Sequence, residues 1–250
     1  MSTHPARRRQ LRTWSPAEQQ EHLQAVAAGS EHGSVTGREL LDLASNDYLS
    51  LCRHPSLIAA AESQLRSSGV GSGGSRLVSG SRPVHGQLES ELACWLGRER
   101  VLLFPSGFQA NLAAVSALAN RHTTVVADRL IHHSLLVGVQ ASGARLRRFA
   151  HNDLESLERL LQRSRSERPQ KPLLVISESL FSMEGTSPPV HDLAALCERH
   201  GALLLLDEAH ALGVLGDGGR GLGFGEEAVT LLSGTFGKAF GSGGAFLACD

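Results

Sequence analysis

The stretch Leu173–Asp207, LLVISESLFSMEGTSPPVHDLAALCERHGALLLLD, decides the fold. LLVIS (173–177) and LLLLD (203–207) are short, unbroken apolar runs, and between them DLAALCERHG reads as a helix that stops at Gly201. Runs this apolar fit strands buried on both faces rather than strands with one wet side. A strand, a helix and a second strand in that order form a parallel crossover unit.

The alternation continues outward in both directions. Upstream, Leu40–Leu43 reads as a short strand entering the turn-rich SNDY (45–48). A helix opens at Pro55 and ends at Gly69, where a loop too rich in glycine for either element, GVGSGGSRLVSGS (69–81), begins. A second helix covers Pro83–Gly97. Then come a strand at Val101–Phe104, a helix from about Gly107 to Ala119, and a strand at Thr123–Asp128. A helix through Leu135 and Val139, a strand at Arg145–Ala150 and the amphipathic helix DLESLERLLQRSR (153–165) follow. Downstream, Val229–Thr235 and Gly243–Cys249 add two strands. The pattern predicts an α/β fold with a mostly parallel seven-stranded sheet and helices on both faces. It predicts an N-terminal arm over residues 1–38 and one large domain over 39–250. In such sheets ligands sit beyond the carboxyl ends of the strands, so the informative residues should lie just after strands.

With 250 residues, 41% of them hydrophobic, the chain is long enough for a well-buried core. A formal net charge of -1 argues against a general electrostatic grip on nucleic acid or an anionic membrane. The local exception, Arg7-Arg8-Arg9 with Arg12, reads as a solvated arm. The start lacks the apolar segment of a secretory signal, and no run approaches the roughly 20 apolar residues of a membrane span. A cytoplasmic protein is the expectation. Cys52, Cys94, Cys197 and Cys249 lie far apart without a C-x-x-C pair, which fits reduced thiols and neither a zinc site nor a disulfide scaffold. Of the 24 basic residues only two are lysine, Lys171 and Lys238.

Lys238 lies in a glycine-rich loop, LSGTFGKAFGSGG (232–244), that could hold phosphates or do covalent chemistry. The preceding DEAH (207–210) invites a nucleotide-hydrolase reading, with Asp207 and Glu208 as magnesium and water-activating carboxylates. That chemistry needs a G-x-x-x-x-G-K-[ST] loop, which sets backbone N–H groups and a lysine around the phosphates. Here Gly237-Lys238 is followed by Ala239, has Leu232 where the first glycine belongs, and comes after DEAH rather than before it. Nor does GSGG (241–244) fit G-x-G-x-x-G.

Pyridoxal phosphate uses the same parts differently: a lysine for covalent attachment, an acid for the pyridine nitrogen and a phosphate cup. Lys238 offers the amine. Asp207 leaves a wholly apolar strand, where a buried carboxylate calls for a cationic partner, although an aspartate paired locally is about as common. FPSGFQAN (104–111) is a strand, a sharp turn and a helix start, whose N–H groups at Gly107 and Phe108 could hold a phosphate. A plain Ser106 cap explains the same string. Thr235 could add a hydroxyl. In DRLIHHSLL (128–136) the adjacent His132 and His133 are poorly spaced for a shared metal, so no metal is expected, and one imidazole could stack on an aromatic cofactor. ESLFSMEG (178–185) presents Ser182 and Glu184 after a strand.

Together these strings resemble the α-oxoamine synthases, pyridoxal-phosphate enzymes of the type I aminotransferase fold. The matching segments are SNDYLSL, GSGGSRLVSGS, SGFQAN, DRLIHHSLL, RRFAHNDLESL, ESLFSMEG, DEAHALGVLGDGGRG and GTFGKAFGSGGA, in family order from about Asn46 onward. The resemblance implies that Lys238 bonds to pyridoxal 5'-phosphate and later moves the substrate's α-proton. It implies that Asp207 pairs with the pyridine nitrogen, that His210 and Ser182 bond the ring oxygen, and that His132 stacks on the ring. Gly107, Phe108 and Thr235 would hold the phosphate, and Asn46 would reach the substrate carboxylate. The implied reaction is a decarboxylative condensation of an acyl thioester with a small amino acid. The strings sit nearest the member of biotin biosynthesis that joins a pimeloyl thioester, on CoA or a carrier protein, to L-alanine. Sibling members use glycine with acetyl or succinyl groups, or serine with palmitoyl. Ile131 and His133 depart from the family's usual residues. The family also continues past its lysine into a small C-terminal domain and works as a homodimer with shared active sites. With Asp250 the last residue, the resemblance implies that this domain is missing and that the 250 residues alone are poorly folded or inactive.

Overall fold

A computed structural model describes residues 12–18, 22–26 and 35–250. The chain divides into two compact units, Met1–Asn46 and Asp47–Asp250. In the first, β1 (Trp14–Pro16), β2 (His22–Val26) and β3 (Val35–Leu41) form an antiparallel sheet in that order. The strand expected at Leu40–Leu43 thus starts earlier and stops at Leu41. Arg7-Arg8-Arg9 lies outside the described residues.

The second unit opens with α1 (Pro55–Ser68) and α2 (Pro83–Leu96), each begun by proline at a position where a missing N–H costs nothing. Gly97 ends α2 in a left-handed conformation. Then β4 (Arg100–Phe104), α3 (Gly107–Leu118), β5 (Thr124–Asp128), α4 (His133–Ser142), β6 (Arg145–Phe149) and α5 (Leu154–Glu167) alternate. The stretch that decided the fold becomes β7 (Leu173–Glu178), α6 (Val190–Arg199) and β8 (Leu203–Asp207), and β9 (Leu231–Thr235) and β10 (Ala245–Cys249) complete the sheet.

Its order is β4-β10-β9-β8-β7-β5-β6. Neighbours are parallel from β9 through β6, while β10 runs antiparallel to both β9 and β4. Side chains alternate across each strand, so the apolar runs feed two separate cores. Val126, Val175, Leu204, Leu206 and Phe246 pack with Leu157 and Leu161 of α5 and Leu193 and Leu196 of α6. On the other side Val125, Leu174, Ile176 and Leu205 pack with Val115 of α3 and Leu135 and Val139 of α4. The consequence for function is register. Glu178 is paired with Asp207, and Asp207 with Ser233, so the last residues of β7 and β8 stand side by side at the sheet's carboxyl edge.

Candidate active site

Asp207, at the end of β8, is 5% exposed. One carboxylate oxygen accepts the backbone N–H of Ala209 at 2.9 Å, and the other accepts the side-chain amide of Asn111 at 2.7 Å. Next to it, Glu178 is 4% exposed and accepts the backbone N–H of His132 at 2.5 Å. Burial, reinforced by the charge of Asp207, pushes the Glu178 carboxyl up to about 8. Lys238 answers both acids. Burial lowers the pKa of its amine, while the charges of Asp207 and Glu178 pull the other way.

Lys238 is carried by the 236–244 connection between β9 and β10. Backbone bonds close this loop on itself: Phe236 N–H to the Gly244 carbonyl at 3.0 Å, Ser242 to Phe236 at 2.9 Å, and Gly241 to the carbonyl of Lys238 itself at 2.9 Å. Its glycines, however, do not all leave room for a ligand. At Gly241, with φ +60, a Cβ would lie 2.3 Å from the backbone nitrogen of Cys52, so this glycine yields to the Leu51–Cys52 chain.

His210, three residues beyond Asp207, is nearly buried, and its Nδ1 lies 2.7 Å from the Tyr48 hydroxyl. Burial and the Lys238 charge push it down to about 4. A pocket of about 320 Å³ is lined by Tyr48, Phe181, Ser182, Gly185, His210 and Val214, which brings Ser182 and His210 to one space. Glu208, by contrast, is wholly buried and turned to a loop: it accepts N–H bonds from Gly223 (2.5 Å) and Leu222 (3.2 Å) and the Ser179 hydroxyl. It braces the chain after DEAH, which leaves it unsuited to activating water.

At the start of α3, Ser106 caps the helix through Gln109 N–H at 3.3 Å. The N–H groups of Gly107 and Phe108 lie in the first turn, where no intrahelical acceptor exists. A Cβ at Gly107 would stand 3.8 Å from that of Thr235, so the helix start and the end of β9 face one another. Thr235 donates to the Gly244 carbonyl at 3.0 Å and accepts from Gly237 N–H at 3.2 Å. The cap at Ser106 and the exposed first turn therefore coexist. His132 caps α4, accepting Ser134 N–H at 3.3 Å on Nδ1, while His133 is the first helical residue and exposed. Asn46 belongs to the first unit and is exposed.

Among the expected residues, Lys238, Asp207 and His210 share one electrostatic neighbourhood, in which His132 also acts on His210. Sequence reasoning missed Glu178, Asn111 and Tyr48. Asn111 carried a signal, because it is a polar residue on a buried helix face whose other members are Ala110, Ala114 and Val115. Among the described residues no cluster of acids, histidines and cysteines could hold a metal ion, and no helix is long and apolar enough to cross a membrane.

Residues 38–250 match the family model described as aminotransferase class I and II. The chain is 50% identical over 220 residues to 8-amino-7-oxononanoate synthase of Klebsiella pneumoniae, a match covering 86% of this chain and 55% of that protein. It is 46% identical over 217 residues to the protein of the same name from Anaeromyxobacter sp. (strain K), covering 86% of this chain and 54% of the relative. Among solved structures, the serine palmitoyltransferase of Sphingomonas wittichii superposes with a TM-score of 0.82 at 33% identity, over 87% of this chain and 54% of that one. The 8-amino-7-oxononanoate synthase of Francisella tularensis does so at 0.70 and 30% identity, over 83% and 57%. The chain spans about half the length of the relatives it matches. With the family model covering 38–250 and these relatives aligned over most of its length, the chain belongs to the aminotransferase class I and II family.

Proposed function

We propose that this chain is the cofactor-binding part of a pyridoxal-phosphate-dependent C-acyltransferase. Its reaction joins a pimeloyl thioester to L-alanine, giving 8-amino-7-oxononanoate, carbon dioxide and the free thiol carrier. The observation that carries this reading is the corner at the end of β8 where burial lowers the pKa of the Lys238 amine while the charges of Asp207 and Glu178 act on it. An amine on a loop and a buried carboxylate fit a group that offers an aldehyde to the one and a cationic ring nitrogen to the other. The first turn of α3 facing Thr235 fits its phosphate. Residues 39–250 are read as the cofactor domain and 1–38 as an arm, although β3 crosses that boundary and the compact units divide after Asn46.

When bound, pyridoxal phosphate supplies an electron sink for the carbon next to the substrate's amine. The protein's own residues do the rest. Lys238 holds the cofactor covalently and moves the proton on the substrate's α-carbon. Asp207 holds the proton on the ring nitrogen, and His132 packs on the ring. His210 and Ser182 orient the ring oxygen from the pocket they share, while Gly107, Phe108 and Thr235 bind phosphate. Asn46 would orient the substrate carboxylate. A homodimer is supported by apolar side chains left bare in the second unit, among them Val70 (95% exposed) and Leu77 (97%). A cytoplasmic location fits the absence of any long apolar helix among the described residues.

A second reading has its own support. The superposition on serine palmitoyltransferase, at a TM-score of 0.82, is closer than the 0.70 on the oxononanoate synthase, so a sibling reaction on glycine or serine fits the same corner. An assay separates the two: thiol release is measured with alanine, glycine or serine against pimeloyl, acetyl, succinyl and palmitoyl thioesters. Alanine with pimeloyl thioester should be fastest by at least about tenfold, since discrimination of one small group is worth roughly that much. A faster glycine or serine pair would transfer the assignment to a sibling.

A further inference from the structure

Asp207 ends β8 and His132 caps α4, yet one chain of hydrogen bonds joins them. Asn111, 4% exposed on α3, gives its amide to Asp207 at 2.7 Å and to the Ser134 hydroxyl at 3.0 Å. The Ser134 hydroxyl in turn lies 2.7 Å from Nδ1 of His132. The directions can be assigned one bond at a time. A carboxylate only accepts, so the Asn111 atom facing Asp207 is the amide nitrogen. That nitrogen also donates to the Ser134 hydroxyl, which keeps a proton and a second lone pair, so the bond to Nδ1 is decided by what else Nδ1 meets. Nδ1 additionally receives the backbone N–H of Ser134 at 3.3 Å. An imidazole nitrogen that takes two donors carries no proton, so the proton sits on Nε2.

We propose that Asn111 is a positioning residue that, through Ser134, couples the orientation of the Asp207 carboxylate to the tautomer of His132. This rests on the reading of Asp207 and His132 as the residues that meet the cofactor ring. One amide would then set both the acid at the ring's edge and the imidazole on its face. The Asn111 carbonyl oxygen is buried with no hydrogen-bond partner among the described protein atoms.

The test begins without cofactor. Imidazole nitrogen NMR, with His132 assigned by the signal lost in His132→Gln, should show a single tautomer protonated on Nε2. In Asn111→Ala the Ser134 hydroxyl loses the amide donor that biases it to give its proton to Nδ1, and His132 should shift toward a mixture of tautomers. With cofactor, Asn111→Ala should bind pyridoxal phosphate about tenfold or more loosely, the usual scale for a lost hydrogen bond to a charged group. Borohydride should still fix the cofactor to Lys238. An unchanged tautomer with unchanged affinity, even at a lower melting temperature, would leave Asn111 a packing residue and overturn the proposal. Should Asn111→Ala not fold, the wild-type spectrum decides, because a proton on Nδ1 breaks the chain of donors outright. Wild-type protein that takes up no pyridoxal phosphate would instead sink the functional reading and leave the tautomer result standing.

Discussion

Two acids and one amine crowd a buried corner at the end of β7 and β8, and the physics of that corner decides its chemistry. Desolvation penalises every charge there, and the charge of Asp207 makes a second anion beside it costlier still. Glu178 yields by keeping its proton, which is why it is pushed up to about 8. The sign for stability follows. The folded chain binds this proton where the unfolded chain, with an ordinary glutamate, releases it, so stability is fullest below about 4.5 and falls as pH rises through 8. Glu178→Gln, which is neutral throughout, should therefore flatten the decline of melting temperature between pH 5 and pH 8 (both values chosen to bracket that titration). A decline as steep as wild type would show that another group is responsible. His210 acts in the opposite sense: pushed down to about 4 by burial, it stays neutral in the fold, and its stabilising share is lost as pH falls below its ordinary value of 6.5 toward 4. His210→Gln should soften acid unfolding in that window. At this scale the sequence exposed Lys238 and Asp207, because a lysine among glycines and an acid ending an apolar strand stand out, whereas His210 was reached only through the family resemblance. Glu178 did not stand out. Its role depends on its being paired with Asp207, and register between strands is not written in either strand alone.

The element that presents Lys238 is the loop 236–244, and its shape rests on one close approach. Gly241 sits at φ +60 with Cys52 backbone where a Cβ would go, 2.3 Å away. Gly241→Ala should strain the backbone and push the loop off the Leu51–Cys52 segment, costing about 1–3 kcal/mol of stability and weakening cofactor binding together. Denaturant unfolding beside a cofactor titration checks this, and a variant as stable as wild type would contradict it. The strands and helices of the second unit were legible from apolar runs and helix stops. The direction of β10 was less so: its apolar run reads alike either way. Only the short 236–244 connection, too brief for a crossover helix, forces it antiparallel. The sheet of β1 and β2 went unread because WSP and HLQAV lack the sustained alternation that marks a strand.

At the scale of the molecule, the second unit gathers Asp207, Lys238, His210 and the first turn of α3 at one edge of one sheet, where parallel α/β sheets place their ligands. The alternating pattern made that edge predictable before any side chain was placed. What the pattern withheld was which polar residues close the site from behind, since Asn111 and Glu208 are buried by packing between elements distant in sequence. Whether Lys238 anchors pyridoxal phosphate covalently can be read from a single experiment. The protein is incubated with pyridoxal phosphate, its visible absorbance is recorded, borohydride is added, and the digest is weighed by mass spectrometry. A yellow band should appear that borohydride abolishes, with the added mass on the peptide holding Lys238 and none on that holding Lys171. Absence of the band, or an undiminished band in Lys238→Ala, would contradict it.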